Sequence, residues 1–159
     1  MATPATHVWR PSSARTVVLD SFIPVPRGGA AVAPAPLNWP TKDPVDVLDY
    51  QFDISPALVG NDGDVIDTVD VSIEPSGPGA LVMTSATVDG AIAVLWLTGG
   101  QAGTIYTINL VITTLNGRTL NRSILLPVLN LSVPPAPAGA LIIDGGLVLT
   151  DQNGNPVLT

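Results

Sequence analysis

The chain contains no cysteine, which excludes disulfide bridges and thiolate-ligated metals. It has one histidine, His7. A Ser-His-Asp or Cys-His mechanism needs an imidazole held within hydrogen-bond reach of its nucleophile, and a lone histidine in a proline-rich arm does not supply that. Zinc chemistry fails on the same shortage of ligands. The 159 residues include only seven aromatics. That is too few to line the cleft of a two-carboxylate glycosidase and fill a core as well. Long apolar runs are also missing. The longest, "AIAVLWL" at 91 to 97, falls far short of the roughly 20 residues that cross a bilayer, and "ILLPVLNLSVPP" is broken by Pro127, Pro134 and Pro135. The opening "MATPATHVWRPSSARTVV" lacks the basic-then-apolar order of a secretion signal. The reading is a soluble protein without a membrane anchor, a bound cofactor or an enzymatic activity.

Charge is scarce too, at 12% of residues, and the mean hydropathy is +0.43. So apolar a surface on a soluble chain implies an interface. The net charge of −7 is unevenly placed. Residues 1 to 42 carry Arg10, Arg15, Arg27 and Lys42 against Asp20, whereas residues 43 to 132 carry ten acids against Arg118 and Arg122. An acidic body repels phosphate backbones, and four scattered cations make no nucleic-acid patch.

Proline, by contrast, is abundant at 16 residues. Six of them fall within residues 1 to 37, together with "GGAAVAPAP". Proline fixes φ and removes a backbone donor, so this stretch reads as an extended arm. Within it "TVVLDSFIPV" at 16 to 25 has the composition of a strand that pairs with a neighbour. Residues 133 to 159 open with the stiff "VPPAPAG" and continue as short apolar β runs separated by Gly145-Gly146 and Asn153-Gly154 turns. A β fragment that small needs a partner surface.

Between the two lies a body, residues 38 to 132, that reads as β throughout. In residues 48 to 54, Leu48, Tyr50, Phe52 and Ile54 alternate with Asp49, Gln51 and Asp53, which predicts a strand with one apolar and one wet face. "VIDTVDVSIE" alternates likewise, with Val65, Val69, Val71 and Ile73 inward. Tyr106, Ile108, Leu110 and Ile112 share a face, and an Asn116-Gly117 turn sends the chain back over 119 to 129. Turns every 8 to 14 residues without helical periodicity predict an antiparallel β-sandwich of about seven strands. Tyr106, just after "GGQAGT", is placed as a tyrosine corner whose hydroxyl bonds upstream backbone. Trp96 is expected in the core.

Two acidic stretches invite a chemical reading. Asp43, Asp46, Asp49 and Asp53 fall within eleven positions. On a strand, Asp49 and Asp53 lie about 13 Å apart, too far to share a metal or a proton. "NDGDVID" at 61 to 67 lacks the D-x-[DN]-x-[DN]-G order of a calcium loop and reads as a turn. "GGQAG" has no lysine and lies between strands, so it is a loop and not a phosphate cradle.

Three segments carry a family likeness: W-P-x-K-D-P-x-D-x-L-D-Y at 39 to 50, W-L-x-G-G-x-A-G-x-x-Y at 96 to 106, and G-R-T-x-x-R-S at 117 to 123. Over about 39 to 129 the chain resembles the fiber-tail adaptors of tailed bacteriophages, small tail proteins with an Ig-like fold. The resemblance implies an Ig-like domain made in the host bacterial cytoplasm and built into the virion tail. It would link a tail adaptor or nozzle to tail fibers and to further copies of itself, with no catalytic residues to carry over. Another reading of such a module is capsid decoration or host-glycan binding. The expected docking residues are Trp9, Phe22 and Trp39 at the N-terminal side and Leu141, Ile143, Leu147 and Leu149 in the tail.

Overall fold

Proline and glycine punctuation cuts the chain into short strands, and the strands form two facing sheets. A computed structural model describes residues 12–19, 35–132, 138–143, 147–152 and 155–158. A 3-10 turn, Ser13–Arg15, leads into β1 (Thr16–Val18), and β2 is Leu37–Asn38. Then come β3 (Val47–Asp53), a one-turn helix α1 (Ser55–Leu58), β4 (Ile66–Glu74), β5 (Leu81–Asp89), β6 (Ile92–Gly99), β7 (Thr104–Thr114) and β8 (Thr119–Val128). The tail holds β9 (Ile142–Ile143) and β10 (Leu147–Val148).

One sheet has the order β1-β3-β6-β5 and the other β2-β8-β7-β4, with β9 and β10 forming a separate pair. The architecture is the expected all-β sandwich. Its sheets are mixed, however, where antiparallel ones were expected: β1 runs parallel to β3, and β2 parallel to β8. Both additions come from sequence N-terminal to β3, and each pairs an edge that would otherwise present unpaired backbone groups.

The core forms where the period-2 faces meet. Tyr50, Phe52 and Ile54 from the β3 segment, together with Leu95 and Leu97 of the neighbouring β6, face Ile108, Leu110 and Ile112 of β7 and Ile124, Leu126 and Val128 of β8, all of them buried. Each such aliphatic or aromatic side chain contributes about 1.5–3 kcal/mol relative to exposure. On β4, Val69, Val71 and Ile73 are half-buried as the alternation requires. A bulge between Ile66 and Thr68 shifts the register, so Ile66 takes the deep position expected of Val65. Trp96 is not in the core. It is half-buried, on the face of β6 opposite to Leu95 and Leu97, and it stands across from Asp49.

The Asn116-Gly117 reversal is a three-residue loop. Gly117 N–H donates to Thr114 O (2.9 Å) and Thr114 N–H to Arg118 O (2.9 Å), with Gly117 at φ +80°. This is a turn closed by a glycine in the left-handed region.

Candidate functional site

The acidic residues that invited a chemical reading turn out to be fastenings. Asp49 and Gln51 were expected to face water, yet both are buried. The segment leading into β1 accounts for this. Arg15 Nε donates to the Asp49 carbonyl (2.6 Å), and its guanidinium pairs with the Asp49 carboxylate. Thr16 Oγ1 donates to Gln51 Oε1 (3.0 Å), and Gln51 Nε2 donates to Asp49 Oδ2 (3.1 Å). Burial pushes the Asp49 carboxyl up, but the bonds from Arg15 and Gln51 outweigh it and hold it below its ordinary range. Val17 packs against the core, Leu19 enters it at 6% exposure, and Leu19 N–H donates to Asp53 O (2.8 Å).

A second fastening joins the start of the body to its end. Trp39, expected to dock a partner, lies inside this chain at 2% exposure. Its ring meets Tyr50 at 5.4 Å, and its Nε1–H donates to Gln51 O (2.9 Å). Prolines 40 and 44 bracket Lys42, whose side chain is fully buried. Lys42 Nζ donates to the carbonyls of Asp43 (2.7 Å) and Gly99 (3.0 Å). Desolvation lowers its pKa, and the carboxylates of Asp46 and Asp43 act against that. The Asp43 carboxylate accepts from Val45 N–H (3.0 Å), Leu131 N–H (2.8 Å), Ser132 N–H (2.8 Å) and Ser132 Oγ (3.0 Å). These donors, led by the Val45 and Ser132 amides, bring its pKa down to about 2. Asp43 thus holds Leu131 and Ser132, at the C-terminal end of the sandwich, against its N-terminal side.

A third fastening secures the β7–β8 turn. The buried Asp64 accepts from Thr114 Oγ1 (3.0 Å) and Asn116 N–H (3.1 Å) and pairs with Arg118, which also reaches Asn61. Burial pushes the Asp64 carboxyl up, and these donors hold it below its usual range despite that. "NDGDVID" is therefore a turn whose second acid, Asp64, grips a neighbouring hairpin. Among the described residues, no three His, Cys, Asp or Glu side chains gather where they could hold a metal ion.

The "GGQAG" loop also acquires a structural reason. A Cβ on Gly99 (φ +73°) would lie 3.1 Å from Ala80 O, and one on Gly100 (φ +101°) 3.0 Å from a Val128 methyl. The tight passage brings Gln101 N–H to Tyr106 Oη at 2.9 Å, the upstream bond expected of a tyrosine corner.

Surface suited to a partner lies elsewhere. Val45 (78% exposed), Leu129 and Leu131 stand around the Asp43 fastening, next to the point where the linker leaves. In the tail, Leu141, Leu149 and Leu158 are exposed. The backbones of Ile143 and Leu147 are paired in β9 and β10. Trp9 and Phe22 lie outside the described residues.

A family model described as podophage GP4 fiber-tail adaptor protein gp77 matches residues 42–127, more than half of the chain. The chain belongs to this fiber-tail adaptor family. It is accordingly a structural component of a phage tail that works in contact with other tail proteins. No curated protein matches it. In this adaptor the matched span closes on itself, because Lys42 N–H donates to Pro127 O (3.0 Å). The family core is thus the sandwich, and the β1 segment, β2 and the C-terminal tail lie outside it. Among the described residues, no helix of the adaptor is long and apolar enough to cross a membrane.

Sequence reasoning missed the half-buried Arg15 and the buried Lys42 and Asp64 as partners. For Lys42 the available signal was spacing, since a lysine between two prolines and followed by acids is not a freely solvated helix face.

Proposed function

We propose that the adaptor is a non-enzymatic connector with an Ig-like body. The body would be built into the tail in several copies, with the C-terminal tail gripping a neighbouring virion protein such as a fiber or a tail nozzle. The strand order supports the Ig-like reading. β3-β6-β5 against β4-β7-β8 corresponds to B-E-D against C-F-G, and Tyr106 sits at the corner that would join E to F. The observation that carries the connector role is Asp43. Four donors, three of them from Leu131 and Ser132, hold the C-terminal end of the body beside exposed Val45, Leu129 and Leu131.

The docking residues in this reading are Leu141, Ile143, Leu147 and Leu149, with Trp9 and Phe22 of the arm contributing a second grip. Trp39 is left out because its indole is taken up by Tyr50 and Gln51. Extended ends bind by adding backbone pairs to a neighbour, with side-chain pockets setting register. Many copies around a tail add avidity. Imaging of particles carrying a chain that lacks residues 138–159 tests this. The expected result is a folded body absent from tails with no fibers attached, and normal fiber attachment would defeat the reading.

A further inference from the structure

We propose that the segment 12–19 is exchanged between copies, each chain laying its β1 along β3 of the next. The inference rests on the multi-copy reading above. The socket is specific: the β3 edge supplies Asp49 and Gln51, and the incoming segment supplies Arg15, Thr16, Val17 and Leu19.

The connection back to the body is far longer than docking on the same chain requires. Thr16 and Trp39 both meet Gln51, Thr16 through its side chain and strand register and Trp39 through its indole. Leu19 and Leu37 therefore stand within about 30 Å of one another, counting ~3.3 Å per residue from those two points. Seventeen residues lie between them, enough to span about 60 Å. A compact body of about 100 residues has a radius of gyration near 13 Å, so the socket of an adjacent copy falls within that reach. Exchange also preserves every bond of the docked segment while turning a local contact into a link between subunits. Arg15 of one copy then supplies the counter-charge buried in another.

The absence of native cysteine makes the test direct. Thr16 and Gln51 are register partners on adjacent strands, and strands about 4.8 Å apart are within disulfide reach. Full-length chains carrying T16C and chains carrying Q51C are co-expressed and recovered in tails. Exchange predicts a product of twice the single-chain mass that is lost on reduction, and a ladder of such multiples from the T16C/Q51C double variant. Closure of the double variant only within single chains, while the single variants stay unlinked, overturns the proposal. Should the cysteines perturb the socket, R15D and D49R serve instead. Each alone is expected to lower incorporation several-fold, and co-expression restores it only if segments cross between chains. No gain on co-expression overturns the proposal. The adaptor reading fails separately, if the wild-type chain is missing from tails.

Discussion

Tyr50 and Tyr106 have similar burial and opposite hydrogen-bond circumstances. Tyr106 Oη accepts the Gln101 amide, whereas Tyr50 Oη has no partner among the described residues, and burial pushes its pKa up to about 12. Removing the first hydroxyl strands a backbone donor, and removing the second relieves a desolvated group. Tyr106→Phe should therefore cost about 1 kcal/mol in chemical denaturation, with Tyr50→Phe neutral or stabilising. Asp43 gives a pH signature at the same scale. Its folded pKa lies near 2 against an ordinary 3.8. The stability it contributes is thus fully present above the unfolded value and is lost as pH falls from about 4 toward 2. Asp43→Asn should lower the melting temperature at neutral pH and flatten the acid slope in that window. It should also speed amide exchange at Leu131 and Ser132, which donate to the carboxylate.

Among the elements, alternation made the strands legible. Leu48, Tyr50, Phe52 and Ile54, and Tyr106 through Ile112, announce their inward faces by spacing alone, and the structure turns them inward. What spacing does not carry is the occupancy of the opposite face. Asp49 and Gln51 look wet because polar residues usually are, but Arg15 and Thr16, 34 and 35 positions earlier, bond to them. Trp96 was misjudged for the matching reason: a large apolar residue is assigned to the core even when its parity with Leu95 and Leu97 places it outside. The charged partners are legible only in hindsight, since pairing across 34 or 54 residues leaves no local trace. Glycine is the exception, being required by backbone geometry, most tightly at Gly100. Gly100 combines φ +101° with a neighbour 3.0 Å from a would-be Cβ. Gly100→Ala should cost about 1–3 kcal/mol and weaken the adjacent Gln101–Tyr106 bond, both measurable by denaturation and amide exchange.

At the scale of the whole molecule, the two ends of the chain relate to the body differently. The N-terminal segment belongs to the fold: β1 extends a sheet, Leu19 enters the core, and Arg15 neutralises a buried acid. The C-terminal tail makes its own small pair, β9 and β10, outside both sheets of the sandwich. Its Leu141, Leu149 and Leu158 remain exposed, and so small a β unit gains little from packing on itself. The two truncations should therefore separate stability from assembly. Removing residues 1–19 deletes Leu19 and unpairs Asp49. A leucine lost from a core costs about 2–5 kcal/mol by itself, and a buried carboxylate left without its cation adds to that. Removing 138–159 leaves every strand of the sandwich and the Asp43 fastening intact, so its denaturation midpoint should match that of the full chain. Matching midpoints for the two truncations would mean that the N-terminal segment is not part of the folded unit, and the socket on β3 would lose its role.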